Sequence, residues 1–253
     1  MPERSDKPNT SFELIQLIPN MLTVAAICAG VSAIRFGVEG NYVLAVQLIV
    51  AACVLDGLDG KIARLLSSDS RMGAELDSLA DFVNFGVAAP LVIYFWALQD
   101  MRGFAWISVL IYTVCCVLRL ARFNVENKPT IDAPPVAAKD HFVGVPSPAG
   151  ALLVLLPMSA SFAFANAPLV PDIVICIHMV LVGLAMISRI PTGSFKRVRI
   201  SRGNVKFFLL GFAIIGGAGM AFPWITLVAV CLAYIAMVIW WFILDTRGNF
   251  RKR

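Results

Sequence analysis

Eight apolar stretches, each near the length that an α-helix needs to cross a bilayer, constrain this chain more than any other feature. They cover residues 19–35, 42–65, 79–98, 104–120, 149–166, 173–190, 207–220 and 223–243. Apolar residues make up 59% of the 253 residues and charged residues only 15%. That composition excludes a disordered chain, a nucleic-acid module and an ordinary water-soluble enzyme. The pattern predicts an all-α integral membrane protein, a bundle of about eight transmembrane helices.

The basic residues predict the orientation of this bundle. Of the 21 Lys and Arg residues, Arg35 and Arg102 lie beside the short connections, and the other 19 lie in the termini, the long connections or the helix ends facing them. The positive-inside rule then places both termini and the long connections in the cytoplasm. We expect a multi-pass protein of the bacterial inner membrane, in contact with membrane lipids. The same rule explains the net charge of +5 without a nucleic-acid partner.

One membrane domain is expected over residues 1–253. Within it, residues 1–18 would form a short interfacial helix, 19–243 the transmembrane bundle and 244–253 a basic cytoplasmic tail. The segment Thr10–Glu13 has the pattern of a capping box, which favours a helix start. The alternative for this segment is a frayed tail.

Acidic residues are concentrated around the end of the second stretch and the start of the third: Asp56, Asp59, Glu75, Asp77 and Asp81. Asp56 comes fourteen residues after Tyr42, where the second stretch begins. At a rise of 1.5 Å per residue it lies about 21 Å into a hydrocarbon core of about 30 Å. An ionised carboxylate there costs at least about 2.5–3.5 kcal/mol. It therefore needs a partner or a water-filled cavity.

Their spacing places these acids on facing helix surfaces. Asp56 and Asp59 share one face of a helix, and Asp77 and Asp81, four residues apart, share one face of the next. Four neighbouring carboxylates cannot all stay ionised without cations. Oxygen ligands select hard ions, so a pair of Mg²⁺ or Mn²⁺ ions is expected, with Ca²⁺ also possible.

Small and basic residues accompany the acids. Gly60 and Ala63 have small side chains, which leave room beside the acidic helix face. Arg64 adds a planar guanidinium group suited to binding a phosphate group. Together these features suggest a pyrophosphate-containing nucleotide and metal-assisted phosphoryl transfer. The alternative is a divalent-cation transporter, because transporters also carry acids inside the membrane.

Residues 56–81 read D-G-L-D-G-K-I-A-R-L-L-S-S-D-S-R-M-G-A-E-L-D-S-L-A-D. This sequence resembles the defining motif of the CDP-alcohol phosphatidyltransferase family, D-x₂-D-G-x₂-A-R-x₈-G-x₃-D-x₃-D, at every defined position. Looser segments resemble the branch of that family that uses L-serine: Pro19–Thr23, Leu79–Ala88, Arg119–Asn124, Phe142–Gly150 and Ser188–Thr192.

The resemblance implies transfer of a phosphatidyl group from CDP-diacylglycerol to L-serine with release of CMP, by a homodimer. It implies that two divalent ions are held by Asp56, Asp59, Asp77 and Asp81. It gives Asp81 a second role as the general base. It also implies a set of residues near the CDP-diacylglycerol: Asn20, Thr23, Asp59, Gly60, Ala63, Arg64, Ser70 and Gly73.

The carboxylate of serine calls for a cation in its pocket. Candidates lie at the cytoplasmic ends of spans: Arg119, Arg122, Asn124, Arg189 and Lys196. The alternative for each basic residue is an anchor that contacts lipid headgroups. A sister enzyme that uses glycerol 3-phosphate or choline is the alternative for the whole chain.

Overall fold

The computed structural model describes residues 17–66, 70–127, 142–164, 170–188, 191–192, 211 and 216–250. Its named helices are α1 (Ile18–Val38), α2 (Tyr42–Leu65), α3 (Arg71–Asp81), α4 (Ala89–Ala97), α5 (Arg102–Asn127), α6 (Ser147–Val154), α7 (Leu156–Phe164), α8 (Asp172–Ile187) and α9 (Pro223–Phe250). A π-helical turn, Phe82–Ala88, joins α3 to α4. The strands β1 (Phe142–Val143) and β2 (Pro191–Thr192), two residues each, pair antiparallel.

Within these ranges, five helical segments are long and apolar enough to cross a membrane: Ile18–Val38, Tyr42–Leu65, Met72–Ala97, Gly103–Glu126 and Pro223–Trp241. The bent pair α6 and α7 makes a sixth if the two form one span, and α8 is apolar but only 16 residues long. The prediction of an all-α, multi-pass membrane protein is confirmed. The predicted interfacial helix and most of the predicted span 207–220 lie outside the described residues.

The third membrane span begins earlier than predicted. The sequence placed it at 79–98, whereas the apolar helical segment in the structure is Met72–Ala97. Glu75 and Asp77 lower the local hydropathy, so the apolar pattern starts only after them. The helix itself continues through these acids, which places Asp77 and Asp81 in the same span.

The core extends through α1, α2, the π-helical turn and α4 to α8, and one part of it forms where α5 meets α8. The buried residues of α5 recur every three or four positions and include Ala105, Val109, Tyr112 and Cys116. Gly183 of α8 lies so close that a Cβ there would be 3.1 Å from the Cα of Tyr112. Outward-facing residues of the same two helices are large and apolar, as a lipid-facing surface requires: Phe104, Ile107, Leu110, Val114, Ile177, Leu181 and Leu184.

The predicted fifth span, 149–166, is broken, because α6 and α7 meet at an angle of 43°. Pro157 has no N–H to donate to the carbonyl of Leu153, four residues earlier. His178 of α8 replaces that donor, since its Nε2 lies 2.8 Å from the Leu153 oxygen. The Cys231 thiol of α9 donates to the neighbouring Leu152 carbonyl at 3.5 Å. Neighbouring helices therefore satisfy the carbonyls at the break.

We expect His178→Ala to destabilise the protein by about 1–3 kcal/mol, because it leaves the Leu153 carbonyl without a donor in an apolar surrounding. Thermal unfolding in detergent measures the loss. In a Pro157→Ala background the backbone N–H of residue 157 can supply the donor, so His178→Ala should cost much less there. An equal cost in both backgrounds would show that His178 acts through packing alone.

Candidate active site

Three carboxylates from two helices converge at the end of α2. Each of these side chains has one carboxylate oxygen that lies within 4.8 Å of such an oxygen on both of the others; the residues are Asp56, Asp59 and Asp77. Asp81, one turn after Asp77, brings its carboxyl close enough to that of Asp56 for the two groups to interact. The structure therefore assembles all four predicted aspartates into one acidic cluster, as their spacing predicted.

Asp59 is the most buried of these acids, with 3% of its surface exposed. Thr23 of α1, itself 4% exposed, donates a hydrogen bond from Oγ1 to Asp59 Oδ2 at 2.7 Å. The same hydroxyl lies 3.1 Å from the Pro19 carbonyl in the preceding turn. Thr23 thus fixes the orientation of Asp59. Its predicted role near the nucleotide is untested and stays a prediction.

Thr23→Val keeps the side-chain shape but removes the hydroxyl that holds Asp59. If the cluster binds a divalent cation, this change should weaken its affinity for Mn²⁺ by about 10–100-fold, as losses of supporting hydrogen bonds typically do. The Mn²⁺ concentration that gives half of the thermal stabilisation measures the affinity. Thr226→Val, a matched change near the start of α9, should leave this concentration unchanged, and an unchanged value in Thr23→Val would contradict the supporting role.

The helix that carries Asp81 widens directly after it into the π-helical turn. Two side chains of α5 hold this turn: the Tyr112 hydroxyl donates to the Phe85 carbonyl at 3.2 Å, and Thr113 Oγ1 donates to Gly86 at 2.9 Å. Asn84, fully buried, lies directly against Gly30 of α1, where any Cβ would clash with it. π-helical turns are frequent at functional sites. Here the turn fixes α3, and with it Asp81, against α1 and α5.

The outer side of α2 beside the acids is open. A Cβ on Gly57 or Gly60 would meet nothing within 4 Å. Arg64 is exposed and donates from Nε to the Gly60 carbonyl at 2.8 Å, which holds its side chain along the helix. Ala63 is half-buried beside them. This surface can take a flat, anionic group against the helix backbone.

The start of α3 closes the other side of this surface. Ser70 caps the helix, since its Oγ accepts a hydrogen bond from the Gly73 N–H at 2.9 Å. A Cβ on Gly73 would lie 3.0 Å from both Asn20 Oδ1 and Ser70 Oγ, so glycine permits this close approach of α1. The predicted nucleotide residues of α1, α2 and α3 are therefore neighbours at one end of the bundle. Nothing in the structure tests their contacts with a nucleotide.

The candidate serine residues differ in their surroundings. Arg119 points into the bundle, where its Nη1 donates to the fully buried Ser147 Oγ at 2.6 Å. Its charge interacts with that of Asp81. Asn124 accepts a hydrogen bond at 3.1 Å from Ser78, the residue after Asp77. These two candidates adjoin the acidic cluster.

The remaining candidates for the serine pocket give less information about that pocket. Arg122 pairs with Glu126 one turn away, with its Nε 3.0 Å from the carboxylate, and both side chains are well exposed. Arg189 and Lys196 lie outside the described residues. Sequence reasoning missed Tyr234 of α9, whose buried hydroxyl lies near Arg119. An isolated Tyr in an apolar span gives no spacing signal that could have identified it.

The donor set fits a divalent cation. All four side chains offer carboxylate oxygens, the ligands that hard cations prefer. Asp81 Oδ1 is buried and has no hydrogen-bond partner within the described parts of the chain, so its lone pairs are available. Carboxylates this close repel one another unless protons or cations offset their charge. Asp56, Asp59, Asp77 and Asp81 are therefore the residues able to hold a metal ion.

Comparison with known proteins agrees with this geometry. The CDP-diacylglycerol–serine O-phosphatidyltransferase of Mycobacterium leprae is 38% identical over 224 residues, covering 88% of this chain and 74% of that protein. The enzymes of the same name from Helicobacter pylori and Bacillus subtilis are 34% and 36% identical, covering 78% and 71% of this chain and 78% and 92% of theirs. The profile of CDP-alcohol phosphatidyltransferases matches residues 16–190, which include the whole acidic cluster. The chain belongs to the CDP-alcohol phosphatidyltransferase family.

Proposed function

We propose that this protein transfers the phosphatidyl group of CDP-diacylglycerol to the hydroxyl of L-serine, yielding phosphatidylserine and CMP in phospholipid biosynthesis. The convergence of Asp56, Asp59, Asp77 and Asp81 beside an open, glycine-bearing helix surface carries this proposal. The names of the relatives from three bacterial species support serine as the acceptor.

Each part of the site has a role in this reaction. The surface formed by Gly60, Ala63 and Arg64 binds the CDP part, with the Arg64 guanidinium on a phosphate. Asn20 and Ser70 border the same surface near Gly73. The acyl chains extend into the bilayer along the apolar helices. These contacts hold the pyrophosphate beside the acidic cluster, and such positioning is the main requirement of an in-line displacement.

Asp81 is the residue that removes the proton of the acceptor hydroxyl. Its Oδ1 is buried, has no hydrogen-bond partner among the described residues, and accepts the proton of the serine hydroxyl. The serine oxygen forms a bond to the phosphorus nearest the glycerol as the bond from that phosphorus to the CMP oxygen breaks. Two Mg²⁺ or Mn²⁺ ions, held by the four aspartates, would supply positive charge to the pyrophosphate oxygens.

A panel of acceptor alcohols tests this function. Purified protein with CDP-diacylglycerol and Mn²⁺ should release CMP when L-serine is added, and not with glycerol 3-phosphate or choline. The lipid product should carry the serine label. Release with another alcohol in place of serine would identify a sister enzyme, and metal flux in liposomes without CMP release would identify a transporter.

The location and assembly proposed for the enzyme follow from the basic residues and from the family. We place it in the bacterial inner membrane with both termini and the active site in the cytoplasm. It works as a homodimer, which the mass of the detergent-solubilised particle can check.

Cysteine labelling tests the orientation in a chain that lacks the six native cysteines. Asp100→Cys, in the short connection before α5, should react in intact cells with a thiol reagent that cannot cross membranes. Val125→Cys, 74% exposed near the other end of α5, should react only after the cells are opened. The reverse pattern would invert the proposed topology.

A further inference from the structure

Among the described residues, Asn84 contributes two buried polar atoms without a hydrogen-bond partner, and three more occur on side chains that lie close to one another. These three are Asp81 Oδ1 of α3, Arg119 Nε of α5 and the Tyr234 hydroxyl oxygen of α9. Arg119 is close enough to both Asp81 and Tyr234 for its charge to interact with each of them. Buried polar atoms normally have partners, so three adjoining exceptions call for an explanation.

The position of Arg119 is fixed by a separate contact. Its Nη1 donates to Ser147 Oγ at 2.6 Å, and Ser147 is fully buried at the start of α6. Cys116, one turn before Arg119, also contacts this hydroxyl, with its Sγ 3.8 Å away. This anchor uses one edge of the guanidinium, and the Nε–H is left as a donor.

The three atoms define the chemistry of a complementary ligand. Arg119 Nε–H and the Tyr234 hydroxyl are donors, whereas an ionised Asp81 Oδ1 can only accept. A ligand that satisfies all three needs acceptor oxygen for the two donors and a separate donor for Asp81. A carboxylate next to a hydroxyl group has this arrangement. A neutral polyol or a quaternary ammonium alcohol has no anionic group to place on Arg119. A phosphate monoester has one, and the names of the relatives favour serine over such an acceptor.

We propose that Tyr234 and Arg119 bind the carboxylate of the acceptor while its hydroxyl faces Asp81, which makes Tyr234 a specificity-determining residue contributed by the last helix. This inference rests on the proposed transfer to L-serine and adds the residue that selects for a carboxylate. It also gives α9 a role in a site whose motif lies in α2 and α3. The phenol and the guanidinium reject acceptors without an anionic group, because these would leave both donors buried and unpaired.

Tyr234→Phe tests the role, since it removes only the hydroxyl. The KM for L-serine should rise about 10-fold, the size expected for one hydrogen bond to a charged group. The KM for CDP-diacylglycerol should stay within about two-fold of the wild-type value. Serinol, which has the same amine and hydroxyl but no carboxylate, should be used equally poorly by the wild type and the variant. The preference for serine over serinol should therefore fall by about the same 10-fold.

Tyr42→Phe is the matched control. The Tyr42 hydroxyl donates to the Phe95 carbonyl at 2.9 Å inside the bundle, and Tyr42 lies at the opposite end of α2 from the acids. It should lower thermal stability and leave the KM for serine unchanged. A Tyr234→Phe variant that behaves the same way, or that loses turnover with serine and serinol alike, would overturn the proposal. A wild-type protein that releases no CMP with serine would contradict the proposed function itself, so the two failures are distinguishable.

Discussion

Asp81→Asn should reduce the turnover of serine by about 10²–10⁴-fold, the usual effect of losing a positioned base. Asparagine keeps the shape of the side chain and one carbonyl oxygen, but it cannot accept the proton of the serine hydroxyl. Binding of CDP-diacylglycerol should persist, because Asp56, Asp59 and Asp77 still form their group of three. Labelled CDP-diacylglycerol binding, measured beside CMP release, separates the two effects.

Asp100→Asn is the matched control for this prediction. Asp100 is exposed in the connection before α5, so the same chemical change there should affect neither binding nor turnover. Near-normal turnover in Asp81→Asn would show that the proton leaves by another route, with Glu75 as the nearest further carboxylate along α3.

Asp56→Asn should also abolish metal-dependent activity, but through loss of metal binding and not through loss of the base. Asp56 contacts Asp81 and belongs to the group formed with Asp59 and Asp77, so its loss disrupts the whole cluster. The effect on Mn²⁺ affinity should exceed the roughly 10–100-fold expected for losing a supporting hydrogen bond such as that of Thr23. CDP-diacylglycerol binding and CMP release should be lost together, unlike in Asp81→Asn.

Thermal unfolding provides a signature of this variant that does not depend on activity. Without metal, Asp56→Asn removes a like charge from the cluster, so the variant should unfold at a higher temperature than the wild type. With Mn²⁺ the order should reverse, since only the wild type gains the stabilisation that comes from binding. A variant that Mn²⁺ stabilises as strongly as the wild type would contradict the assignment of Asp56 as a ligand.

The acidic cluster could be predicted from the sequence because residues three or four positions apart lie on the same face of an α-helix. Asp56 and Asp59 are three apart and Asp77 and Asp81 are four apart, and the structure brings both pairs together. The start of the third span could not be found in this way. A hydropathy pattern indicates which residues face lipid, and it does not show where a helix begins. The acids of α3 interrupt the apolar pattern, but the helix continues through them.

Contacts between helices distant in sequence were the other features that could not be predicted. Thr23 and Asp59 are 36 positions apart, and Arg119 and Ser147 are 28 apart. No local pattern indicates that these side chains meet. The break at Pro157 was visible as a residue type, but the compensating His178 depends on how α8 packs against α6. Tyr234 comes close to Arg119 only because the last helix packs against the bundle.

CMP release by the purified protein in lipid vesicles tests the central claim most directly. CDP-diacylglycerol is supplied with and without L-serine, and with Mn²⁺ or with excess EDTA. The account predicts CMP release only when serine and the divalent ion are both present, with one phosphatidylserine formed for each CMP. CMP release that persists in EDTA, or that proceeds at the same rate without serine, would contradict metal-assisted transfer to serine by the acidic cluster.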